Sequence, residues 1–286
     1  MVREFKLLNE KGQSYSLMDI YNYCLLTDPS GLGFSFQTEY EQIGYTFIES
    51  LRTIQQEPFN GTLNFLTYDN YKGFVDFVAN SETLRLAYKI PYNKKAKEYL
   101  KDVQIQSIGK TEKGENGVLS EPVVFDCLSL WYEENTVEYI IEPQENEIRW
   151  DFYWDSYFAS YDSQSIEYKN TGHVEAPILI EIEGSVSNPI IEVYVEGKLY
   201  QKLTLNVEID EFEKLLYSSK ENDFYINKEN ADGTIESLFN QDVLINFQEE
   251  NEVIRIPKNY DCEIKLSADD AIQKAKLTIL PQYFTI

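Results

Sequence analysis

Hydrophobic and polar residues alternate with a period of two along most of the chain, and that period predicts strands with one buried face. Leu84, Leu86, Tyr88 and Ile90 alternate with Arg85, Ala87 and Lys89, and Leu203, Leu205, Val207 and Ile209 alternate with Lys202, Thr204, Asn206 and Glu208. Shorter runs recur at residues 63–66, 253–256, 263–266 and 276–280. One helix interrupts this pattern: Phe74, Val75, Phe77 and Val78 share a face, with Asp69 as its cap and Asn80 as its end. Ile209, Phe212, Leu215 and Leu216 also have helical spacing, but the polar turn at 220–223 favours a strand over residues 213–218.

Two longer features organise the chain. Residues 100–132 read as two β-rich arms around Glu112, Lys113, Gly114, Glu115, Asn116 and Gly117, whose glycines suit a hairpin tip. A polar stretch beginning at Glu133 places a domain junction there, giving one domain over 1–134, a linker over 135–144 and a second domain over 145–286. Residues 170–191 read as a β-hairpin entered through a corner locked by Pro177 and closed at Asn188 and Pro189, and they contain the chain's single histidine, His173. The expected role of His173 is that of a hydrogen-bonded corner residue.

Composition narrows the function. The chain has 286 residues, 43% of them hydrophobic and 14% aromatic, enough to bury cores without disulfides. The 22 tyrosines and 16 phenylalanines suit half-buried pleated surfaces. The N-terminus has no apolar run of signal-peptide length and no segment is apolar enough to span a bilayer, so synthesis in a cytosol and no membrane insertion are expected. A net charge of −24 repels phosphate backbones and argues against specific nucleic-acid binding. Cys24, Cys127 and Cys262 are too scattered for a disulfide framework or a thiolate metal site.

No catalytic or cofactor constellation emerges. Any hydrolase triad would have to use His173, and no G-x-S-x-G elbow exists. Ser30, Gly31, Leu32 and Gly33 lack the remaining elements of a phosphate loop and read as a structural turn. Asn230 to Gly233 fails as a calcium loop, because Lys228 and Phe239 fall on ligand positions. Between 149 and 161, Trp150, Phe152, Trp154 and Phe158 share one parity, while Tyr153, Asp155 and Tyr157 lie on the other as candidate glycan or partner contacts.

The opening strands from Arg3 to Ser16, the Pro29 to Phe34 segment, the Asn60 to Leu63 strand before the helix, and Gly172 to Pro177 followed by Ile180 to Ile182 resemble the distal tail proteins of long-tailed bacteriophages and prophages. Asn251 to Ile256 and Ala275 to Pro281 extend the likeness to the C-terminal part. The resemblance implies a mainly β protein. Its N-terminal β-sandwich, with one helix and a long β-hairpin, would form a hexameric ring, and its C-terminal domain would be a galectin-like β-sandwich. It implies a non-enzymatic, cofactor-free hub in the virion tail, placed between the tail tube protein and the tail-tip or tail-associated protein. Receptor-binding or baseplate proteins would sit on it. The residues alone leave one alternative: a carbohydrate-binding β-sandwich module that recognises host surface glycan without a ring role.

Overall fold

The computed structural model describes residues 3–19, 24–55, 57–90, 97–114, 117–140, 164–238, 253–269, 272 and 274–286. The chain divides into two compact units, Met1–Glu133 with Tyr283–Ile286, and Glu134–Gln282. The stretch expected to link domains over 135–144 is, in its described part, a strand: Asn135–Ile140 pairs along its whole length with Lys274–Ile279. Among the described residues this strand is the edge of its sheet, a place where polar and charged residues such as Asn135 and Glu138 are tolerated.

In the first unit one continuous ladder runs in the order Ser14–Ser16, Glu4–Asn9, Leu84–Lys89, Glu98–Ile108, Leu119–Cys127, Phe59–Phe65, Cys24–Ser30, Met18–Asp19. The ladder is curled. Phe5 and Phe59 lie four strands apart, a separation of about 19 Å in a flat sheet, yet their ring centroids are 5.7 Å apart. Leu17 fastens the curl: its N–H donates to the Phe5 carbonyl and its carbonyl accepts from Leu26 N–H. Phe5, Leu7, Phe59, Leu63, Phe65, Phe125 and Trp131 fill the interior. The helix Tyr68–Ala79 contributes Phe74, which packs on Phe65 at 5.8 Å. The helix is capped by Thr67, whose hydroxyl accepts from Asn70 N–H, and Asp69 sits inside the first turn instead of at the cap. Threonine holds the extended backbone that a cap requires, and Asp69 is placed to offset the positive end of the helix dipole.

The second unit is a sandwich. One sheet runs Asn135–Ile140, Lys274–Ile279, Ala176–Glu183, Lys214–Lys220, Asp223–Glu229, Ile235–Ser237, and the other Gln164–Lys169, Asp261–Ser267, Ile190–Val195, Lys198–Thr204. Ile178, Ile180, Tyr217 and Leu277 from the first sheet share a core with Ile191, Val193, Cys262 and Ile264 from the second. The hairpin expected over 170–191 is therefore not formed: Ala176–Glu183 and Ile190–Val195 lie in different sheets. Each strand has stronger partners elsewhere, Ala176–Glu183 between Lys214–Lys220 and Lys274–Ile279, and Ile190–Val195 between Asp261–Ser267 and Lys198–Thr204. The turn at Asn188, with φ 49°, carries the chain from one sheet to the other. Residues 214–220 form a strand, as the polar turn after them implied.

Candidate assembly surface

The feature that stands apart from both cores is a two-stranded ribbon in the first unit, Ser35–Ile43 with Thr46–Gln55. It hydrogen-bonds to no other sheet among the described residues, and Thr46–Gln55 is exposed at every position. Its register runs from Ser35 opposite Gln55 to Ile43 opposite Thr46, with one extra residue at Ser50 where Glu39 faces Leu51 and Tyr40 faces Glu49. That register puts Phe36, Tyr40, Phe47 and Ile54 on one face and Ile43, Ile48 and Leu51 on the other. Tyr40, Ile43, Phe47, Ile48, Leu51 and Ile54 are all exposed, Phe47 by 67% and Ile48 by 50%, and Tyr45 at the tip is fully exposed. A two-stranded ribbon is marginal by itself in water. One with apolar side chains on both faces is built to be covered on both.

The ribbon's root is packed against the first unit. Phe34, Phe36 and Phe284 form a ring cluster with centroid separations of 5.0–5.8 Å, and the Arg52 guanidinium lies 3.9 Å from the Phe36 centroid. Trp131 Nε1 donates to the Leu32 carbonyl at 3.3 Å. Gly31 has φ +85°, and a Cβ there would stand 2.1 Å from the Pro58 carbonyl oxygen, so the turn that launches the ribbon needs glycine. This is the structural turn expected of the Ser30 to Gly33 segment.

The hairpin expected over 100–132 is present as a pairing, Glu98–Ile108 with Leu119–Cys127. Leu84–Lys89 pairs along the outer edge of Glu98–Val103, and Phe59–Phe65 along that of Leu119–Phe125, so those parts of the pair lie inside the sheet. Pro122, which brings no N–H to the ladder, stands where the first strand has ended and Gly109 N–H reaches the Pro122 carbonyl at 2.8 Å. Beyond that point Thr111 N–H binds the buried Glu121 carboxylate at 2.8 Å. Gly114 N–H binds the Val118 carbonyl and Gly117 adopts φ +76°, giving a compact loop that includes Glu112 and Lys113. Glu115 and Asn116 lie outside the described residues, as do Tyr153, Asp155 and Tyr157.

His173 is exposed, and its backbone is tied: its N–H donates to the Gln282 carbonyl at 2.7 Å and its carbonyl accepts from Lys258 Nζ at 3.4 Å. The residue that organises this corner is the fully buried Asn170. Its Nδ2 donates to the Val174 and Ile256 carbonyls, both at 2.9 Å, and its Oδ1 accepts from Gly172 N–H at 2.8 Å. Cys24, Cys127 and Cys262 are buried and in no disulfide, and burial pushes the Cys24 thiol up to about 12. Among the described residues no group of three His, Cys, Asp or Glu side chains is placed to hold a metal ion, and no helix is long and apolar enough to cross a membrane.

The sequence model for the distal tail protein N-terminal domain matches residues 4–128. In fold the chain is similar to a chain from the baseplate of phage p2 in its activated conformation with calcium, at a TM-score of 0.66 with 18% identity over 100% of both chains. The same baseplate with strontium gives 0.65 and 18% over the same coverage. The Dit protein (gp 19.1) of phage SPP1, described as a paradigm of the hub adsorption apparatus in phages infecting Gram-positive bacteria, gives 0.54 with 11% identity over 96% of this chain and 98% of that one. No curated protein matches in sequence. These likenesses show that the chain shares its mainly β fold with a chain of the phage p2 baseplate and with the SPP1 Dit protein. The sequence match marks residues 4–128, within the first unit, as a distal tail protein N-terminal domain.

Proposed function

We propose that the protein is the ring-forming hub of its tail, six copies closing a ring between the tail tube protein and the tail-tip or tail-associated protein. The ring supports the receptor-binding or baseplate proteins that attach the phage to its host. The observation that carries this reading is the Ser35–Gln55 ribbon, whose apolar residues on both faces are left uncovered by the chain's own core. A second copy is the natural cover. Rings of three or more copies join one surface of each subunit to a different surface of the next, and a ribbon whose two edges are unpaired among the described residues also supplies strands for intermolecular pairing. Likeness to the phage p2 baseplate chain and to the SPP1 hub protein supports the same assignment.

In this reading the first unit forms the ring. The second, a galectin-like sandwich, carries attachment components, and the chain works by contact and not by turnover. A photo-crosslinking side chain installed at the ribbon tip, Tyr45, tests the ribbon's partner directly. Irradiation of the purified protein is expected to give covalent multimers of the chain, with peptides from 35–55 joined to a second copy. Crosslinks confined to single chains would count against it.

A further inference from the structure

One depression in the second unit combines balanced charge with two half-exposed tyrosines. It is open, has a volume of about 800 Å3, and is walled by three segments that bring together Glu175, Glu196, Lys198, Tyr200, Lys258 and Tyr260. All three walls are fixed from behind. Asn170 holds the first through the Val174 carbonyl and the third through the Ile256 carbonyl, and its own carbonyl accepts from Asn259 N–H at 3.1 Å. The second wall is the tight turn between Ile190–Val195 and Lys198–Thr204, where Glu196 and Gly197 take φ of 51° and 76°. Tyr200 closes the arrangement by donating its hydroxyl to Glu175 Oε1 at 3.3 Å, and Lys258 Nζ rests on the His173 carbonyl.

The chemistry presented is specific. Tyr200 and Tyr260 are 45% and 49% exposed, so each ring offers a face beside polar groups. Glu175 and Glu196 supply acceptors while Lys198 and Lys258 supply donors, and the four formal charges cancel within a chain of net charge −24. An anionic ligand would meet the surrounding negative field, and a cation would meet two ammonium groups. A neutral polyol meets neither penalty: its C–H face stacks on an aromatic ring and its hydroxyls divide between carboxylates and ammonium groups.

We propose that this depression, built on Asn170 and faced by Tyr200 and Tyr260, is a binding site for neutral sugars. The test is ligand-observed saturation-transfer NMR on the full chain with lactose, maltotriose, rhamnose and chitotriose as probes and a trigalacturonate as the anionic control. At least one neutral probe is expected to bind in the millimolar range and the anionic probe not to bind. Tyr200→Ala and Tyr260→Ala should each weaken binding about tenfold while leaving the melting curve in place. Glu175→Gln, which keeps the side-chain volume, should weaken it as well and guards against a folding defect in the ring variants. Silence from all four neutral probes, binding that survives both tyrosine substitutions, or preference for the anionic probe would overturn the proposal. The readout is independent of ring formation, so it stands or falls separately from the hub assignment.

Discussion

Replacing Phe47 and Ile48 by alanine should dissociate the assembly while leaving the fold intact. The two side chains lie on opposite faces of the ribbon, opposite Gln42 and Glu41 respectively, and neither belongs to the core of the first unit. Fully burying a side chain of this size is worth about 1.5–3 kcal/mol. Phe47 has 67% of its surface still to bury and Ile48 has 50%. Allowing for the Cβ that alanine retains, the pair contributes about 2 kcal/mol to each subunit contact, which weakens that contact about 30-fold. Sedimentation velocity over a dilution series of wild type and Phe47→Ala/Ile48→Ala, with a thermal melt of each, measures both quantities. The expected result is dissociation at markedly higher concentration for the variant, with unfolding free energy within about 0.5 kcal/mol of wild type, as for other exposed substitutions. An unchanged dissociation curve would refute the ribbon's role in assembly. A large loss of fold stability would refute the claim that these side chains lie outside the core.

In the second unit Asn170→Ala removes two buried hydrogen bonds and one part-buried one and should cost about 3 kcal/mol by denaturant unfolding. His173→Ala, at an exposed position whose backbone is tied to Gln282 and Lys258, should cost less than Asn170→Ala; a reversed order would overturn the account of this corner. Lys274 and then Lys214, by hydrogen bonding to Glu183, hold its carboxyl down at about 2 from an ordinary 4.5. A depressed carboxylate stabilises the fold above its unfolded value and loses that contribution as pH falls from about 4.5 towards 2. Lys274→Met should therefore raise the Glu183 pKa in an NMR titration and move the onset of acid unfolding to higher pH, and an unmoved titration would show that the contact is not formed in solution.

Local pattern made some elements legible and hid others. The strict alternation at 84–90 appears as the strand Leu84–Lys89, and the apolar face of Phe74, Val75, Phe77 and Val78 as the helix Tyr68–Ala79. Pairing was harder to read. The 170–191 block has a turn between two strands, as a hairpin does, and only the opposite sheet's demand for Ile190–Val195 separates them. The 98–127 pair was legible as a hairpin, but the interior place of Glu98–Val103 and Leu119–Phe125 depends on Leu84–Lys89 and Phe59–Phe65, which the hairpin's own sequence does not reveal. The ribbon carried a usable signal, with β-branched and aromatic residues on either side of Ile43, Gly44 and Tyr45. Its exposure left no such trace, because an apolar residue awaiting a partner chain has the same identity as one awaiting the chain's own core.

Native mass spectrometry of the full chain, with negative-stain imaging of the same sample, tests the hub assignment most directly. With a chain of 33.4 kDa, the account predicts a species of 6 × 33.4, about 200 kDa, seen as six-fold rings with a central hole. A monodisperse 33.4 kDa monomer at every concentration, or an open filament with no closed ring, would contradict it.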